Sequence, residues 1–222
     1  MMKSALLALC LGVSAASAAT LLGFGAEVDY YAPSASGDFK YKTTSTNFAS
    51  DKESAYQIGL YLEHPVPMLP NLRIDYTPDT SFSGSDSVLG TNKVTFKQLD
   101  VTPYYEILDN IVDLDIGVSF KVLDGKIEGK ANENFNQVIP MGYVGAAVSI
   151  PAMPISFSGS VKYIGFSGDS LTDARVKAVW NVLAGLQAQA GYRYESIEVK
   201  DRFDITSNVA FKGPFVGVGY SF

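Results

Sequence analysis

The feature that most constrains this chain is a two-residue alternation of apolar and polar side chains that recurs past residue 21. Leu22, Phe24, Ala26, Val28 and Tyr30 alternate with Gly23, Gly25, Glu27, Asp29 and Tyr31. Val112, Leu114, Ile116, Val118 and Phe120 alternate with Asp113, Asp115, Gly117, Ser119 and Lys121. Successive side chains of an extended strand point to opposite faces, so each such run makes a strand with one apolar and one polar face. Runs at 56–63 and 72–77 repeat the pattern, and further strands are predicted near 94–105, 138–150, 155–166, 172–182, 186–197 and 208–222. Within 138–150 the phase is ambiguous: Val144, Ala146, Val148 and Ile150 favour one face, Met141 and Tyr143 the other. The count is about ten strands, with eight as the alternative.

The connections differ in kind. Residues 32–54, 78–93, 122–137 and 198–207 are long and polar, and only 167–171 breaks that series. The intervening connections at 64–71, 106–110, 151–154 and 183–185 are compact. Short turns at one end and long loops at the other match an all-β, closed, antiparallel up-and-down transmembrane barrel. An even strand count brings both termini to one end.

Met1, Met2 and Lys3 precede an apolar stretch, Ser4 to Val13, and a run of small residues ending at Ala19. That order predicts a cleaved secretory signal over 1–19 and a barrel domain over 20–222. Cys10, the one cysteine, would leave with the signal, so neither a disulfide nor a Cys-ligated metal is expected. Without Lys3 the mature chain has 16 basic and 23 acidic side chains, a net of −7. That balance, with no basic cluster, argues against a nucleic-acid partner. Past the signal no apolar run is long enough for a membrane-spanning helix.

Alternation alone also fits a soluble lipid-carrying barrel with its apolar face inside. Three features favour a membrane. Charges stand in mid-strand on the polar face, at Glu27, Asp29, Arg73, Asp75, Asp113, Asp115, Lys162, Arg175, Lys177 and Arg193. Aromatics recur near strand ends on the apolar face, with Tyr30, Tyr163, Tyr192 and Tyr194 at one edge and Tyr105, Trp180, Tyr220 and Phe222 at the other. Such rings settle where one end is dry and the other wet. Finally, the chain ends Phe215-Val216-Gly217-Val218-Gly219-Tyr220-Ser221-Phe222. Through Gly217, Tyr220 and Phe222 this strand resembles the recognition segment of bacterial outer-membrane proteins; Phe215 departs from it, where a polar residue is usual. The resemblance to small outer-membrane barrels covers the mature chain. It implies insertion in outer-membrane lipid, with periplasmic chaperones and the barrel-assembly machinery as partners in biogenesis.

Candidate chemistry is sparse. His64 is the only histidine and lies in the turn segment His64-Pro65-Val66-Pro67, which reads as a solvated turn residue and not as a base or ligand. No nucleophile triad, zinc set or phosphate-binding glycine loop is visible, so neither catalysis nor a cofactor is expected. The charged lumen is the main constellation. The first five strands contribute mostly acids, including Glu63 and Asp100, with Arg73 and Lys121 as exceptions; the seventh to ninth contribute bases, with Asp173 and Glu195 as exceptions. Two readings stand: an ion-paired plug that satisfies its own members, or an open constriction whose transverse field sorts solutes. The loop 32–54, with Phe39, Tyr41 and Phe48 among Ser, Thr, Lys and Asp, reads as a polar surface loop, or else binds an extracellular ligand that the sequence does not identify. Asp201 and Asp204 make no specific cation site by themselves.

Overall fold

The first strand, β1 (Gly23–Tyr31), pairs with the last, β12 (Ile205–Ser221), from Gly25 opposite Ser221 to Tyr31 opposite Phe215. Between them, β4 (Ala55–Glu63), β5 (Asn71–Asp86), β6 (Gly90–Leu108), β7 (Val112–Glu128), β8 (Glu133–Ser149), β9 (Ile155–Phe166), β10 (Asp169–Leu183) and β11 (Leu186–Arg202) join neighbour to neighbour. The result is a closed, antiparallel, ten-stranded barrel. The alternative of eight strands is excluded. This computed structural model describes residues 22–222 except 42–43, 51–52, 67, 87–89, 109–110, 129–132 and 203–204. The predicted signal over 1–19, with Cys10, lies outside the described residues.

Where the ten strands close on one another, the backbone polar groups are satisfied without water, the condition a sheet must meet in hydrocarbon. Sidedness follows the alternation. Val112, Ile116, Val118 and Phe120 are exposed on the outer surface, whereas Ser119 and Lys121 are fully buried in the lumen. The ambiguous strand β8 resolves with Val144 and Val148 outside and Met141 and Tyr143 buried inside. All eight aromatics expected near the strand ends are exposed on the outside. At the end where the termini meet, the Phe222 amide donates to the Phe24 carbonyl at 2.9 Å. Phe24, Phe222 and Tyr220 form a run of ring contacts there.

The far end differs from expectation. Four of the segments read as long loops, 32–54, 78–93, 122–137 and 198–207, are largely strand. β5 to β8, β11 and β12 simply continue past the apolar belt. Residues 34–50 form a hairpin, β2 (Ser34–Tyr41) and β3 (Thr44–Ser50), and β2 pairs with the upper half of β12 from Lys212 to Ile205. The reason is backbone accounting. β1 leaves β12 at Phe215, and the freed amides and carbonyls of β12 need new partners, which β2 supplies. In water neither face of such a strand must be apolar, so no alternation advertises it.

β1 and β4 end at Tyr31 and Ala55, and β9 and β10 also stop short, at a two-residue turn with Ser167 at φ 52° and Gly168 at φ 94°. β8 pairs with β9 no higher than Gly142, and β11 with β10 no higher than Glu198. Beyond that level the wall parts between β8 and β11 into two flaps, β5–β8 and β11–β12–β2–β3, and on the other side β3 lies alongside β5. Phe82 and Phe96 of the first meet Phe211 and Ala35 of the second, with Phe82 and Phe211 ring centroids 4.9 Å apart. The far end is therefore closed by apolar packing between layers, as in a small sandwich.

Candidate functional site in the lumen

Each inward-facing position on adjacent strands lies within reach of its neighbours across the barrel, because a ten-stranded wall is only slightly wider than one that side chains fill. The charged residues use that reach. Near the turn end, Glu27 of β1 holds Arg73 of β5 and Lys177 of β10, and stands 3.6 Å from Arg175. Asp29 pairs with Arg175 and accepts a hydrogen bond from the Gln189 amide at 2.5 Å. Arg73 also pairs with Asp75 at 2.8 Å.

A second tier lies above. Lys121 of β7, with no solvent exposure, reaches Asp100 at 3.2 Å, Asp173 at 2.8 Å and Glu195 at 3.3 Å. Arg193 pairs with Asp173 at 2.7 Å and Glu195 at 3.5 Å, and donates to the Gln98 amide oxygen at 2.9 Å. Lys162 of β9 joins the tiers, donating to Asp75 at 3.0 Å and Asp100 at 2.7 Å. Six cations thus face six carboxylates in one connected septum. In a poorly solvated interior such a set holds only when its members satisfy one another.

The wall is shaped for the septum. A Cβ at Gly59 would meet the Glu27 and Arg73 side chains, and one at Gly217 would collide with the Asp29 carboxylate. Gly217, read from sequence as part of an assembly signal, therefore also clears space for an ion pair. Phe215, which departs from that signal, is buried with Tyr31 and Ala55 and carries the Arg175 guanidinium 4.3 Å above its ring. Tyr220 and Phe222 lie outside, as expected.

Of the ten charged residues expected in the lumen, Glu27, Asp29, Arg73, Asp75, Lys162, Arg175, Lys177 and Arg193 come together. Asp113 and Asp115 face the lumen nearer the turn end. Arg175 meets the carboxylates of Asp29 and Glu27. The exceptions noted on each wall turn out to be central: Arg73 and Lys121 bind acids of their own wall, and Asp173 and Glu195 bind Lys121. Gln98 and Gln189 were missed, although each shares the inward phase of its strand. Asp201 and Asp204, and the side chains of Phe39, Tyr41 and Phe48, lie outside what the structure describes.

Two cavities border the septum. One of about 40 Å³ lies among Gln57, Arg73, Asp75, Gln98, Lys162 and Arg193. The other, of about 120 Å³, is lined by Arg73, Arg175 and Lys177 together with Asp115, Tyr143, Gly145 and Ala147. His64 belongs to neither. Its Nε2 contacts the Pro70 carbonyl at 3.1 Å and its Nδ1 accepts from the Val66 amide at 3.3 Å, so the ring holds the turn together.

Comparison with solved structures places this geometry. The chain is similar to the outer-membrane protease OmpT of Escherichia coli, with TM-score 0.57 and 9% identity over 90% of this chain and 97% of that one. The fold is that of a small outer-membrane β-barrel. The transport unit of the autotransporter AIDA-I from Escherichia coli matches with TM-score 0.49 and 10% identity, over 98% of this chain and 96% of that one. Neisserial surface protein A matches with TM-score 0.38 and 13% identity, over 90% and 97%. No protein-family model and no curated protein sequence matches the chain.

Proposed function

We propose that this protein is exported through a cleaved signal, sits in the outer membrane with its short turns in the periplasm, and has a lumen closed by the septum. In this reading it strengthens the membrane as a structural barrel, or passes only small solutes slowly, and catalyses nothing. The observation that carries the reading is Lys121: fully buried, it ties together carboxylates from β6, β10 and β11 across the lumen. An open constriction would leave such a group in water. The outward apolar face supports membrane insertion over a soluble lipid carrier, whose apolar face is internal. The engagement of His64 in its turn supports the absence of catalysis. Liposomes reconstituted with the barrel and placed in a small neutral sugar should swell little faster than protein-free ones; swelling at the rate of an open porin contradicts closure.

The two flaps favour a second reading, in which the far end binds a partner outside the cell. Whole cells with and without the 34–50 hairpin, compared for adhesion to host surfaces, test it.

A further inference from the structure

The larger cavity is built by a regular cross-strand pattern. One row runs Asp115, Gly145, Ser160, Arg175 across β7 to β10, and the next runs Asp113, Ala147, Ser158, Lys177. Each row puts a carboxylate on β7, a small residue on β8, a serine on β9 and a cation on β10. The small residues leave space where larger ones would fill the lumen, and the cavity of about 120 Å³ occupies that space. It is wide enough for a few waters or a small organic ion.

The two sides of the cavity differ in chemistry. Arg175 and Lys177 of β10 border it beside Ser158 and Ser160, and Arg73 of β5 also reaches it. The Nε–H of Arg175 is buried and has no acceptor in the protein, although the same side chain pairs with Asp29. That guanidinium lies over the Phe215 ring, which holds it in place. Across the cavity the Asp115 carboxylate lies over Gly145, where a Cβ would come within 3.0 Å of its Oδ2, and the Tyr143 hydroxyl lies beside it. A free anion would meet Asp115 unfavourably, and a free cation would meet three bases. A molecule bearing both charges satisfies both sides.

We infer that this cavity is a binding site for a small zwitterion of the α-amino-acid class. Its carboxylate accepts from Arg175, Lys177 and the serine hydroxyls, and its ammonium donates to Asp115 and Tyr143. The site lies on the turn-end side of the septum, so its occupancy does not depend on whether the lumen conducts.

The test is a titration of the isotope-labelled, refolded full-length barrel in detergent micelles, followed by nuclear magnetic resonance. Glycine, acetate and methylammonium are added separately at matched ionic strength. Glycine should give saturable shifts at the amides of Gly145 and Ser160 and at the Arg175 Nε–H, with acetate and methylammonium at least tenfold weaker. Asp115→Asn should weaken glycine by about tenfold, the cost of one charge-assisted contact, while acetate, relieved of the Asp115 charge, binds no more weakly than before. Acetate binding as tightly as glycine in the parent protein overturns the inference in favour of a simple anion site. Shifts that fail to saturate overturn it outright, and the parent titrations decide this even if the variant does not fold.

Discussion

At the residue scale the septum makes unequal demands on its members. Lys121 has no exposed surface and three carboxylate partners, so removing its charge strands buried anions. Lys121→Met is expected to lower unfolding free energy by about 3–5 kcal/mol, the range for breaking a buried pair from one side, read from urea titration in micelles. Lys97 forms a single 3.0 Å bridge to Asp124 with both side chains well exposed. Lys97→Ala should leave the same titration unchanged, because exposed pairs exchange with water and salt. The inward phase of nearly all these charges was legible in the sequence, since period two assigns a face to each. Their partners were not. Asp29 and Arg175 lie 146 positions apart, and which carboxylate meets which base depends on strand stagger around a closed wall. Asp113 and Asp115 share the phase of the septum but sit too far toward the turn end of β7 to join its upper tier. The pairing of Arg175 with Phe215 was hidden for another reason: an aromatic on the inward face of a polar lumen looks like an error in the alternation until its cationic partner is known.

At the element scale, the ten barrel strands were legible and their upper extents were not. Inside the bilayer one face must be apolar, which imposes the alternation seen in β7. Ile116→Arg, in mid-strand on the outer face, should cost about 2–4 kcal/mol by the penalty for lipid-facing charge at the midplane; refolding into lipid vesicles at graded urea measures it. Past the belt the constraint lapses, so Ser- and Thr-rich residues of β2 and β3 form a hairpin that resembles a loop in sequence. The flaps meet where β3 lies alongside β5 and where Phe211 packs on Phe82 and Phe96. Phe211→Ala removes the ring common to both aromatic contacts, at a cost of about 3–5 kcal/mol if the cavity does not collapse. Its expected signature is local: faster proteolysis of the hairpin and flaps, with the ten-stranded core still resistant in micelles. Loss of the whole barrel's resistance at the same rate would show that flaps and belt unfold as one unit.

At the scale of the whole molecule, closure of β1 on β12 leaves no free edge in the belt, and the last residues complete that seam. Phe222 lies outside the barrel, in ring contact with Phe24 and Tyr220. Its deletion should leave more protein in the periplasm and less accessible to surface labelling of intact cells; unchanged labelling argues that the terminal ring has no part in assembly. The molecule then has two closures in series, the ionic septum within the belt and the aromatic contact between the flaps. Single-channel recording of the refolded protein in a planar bilayer tests that account most directly. The parent should show no resolved conductance steps, and Arg175→Ala should be less stable and show steps as the lower tier loosens. Steady conductance in the parent, with a reversal potential that Arg175→Ala shifts while its unfolding midpoint stays in place, would show an open, charge-lined constriction and contradict the septum.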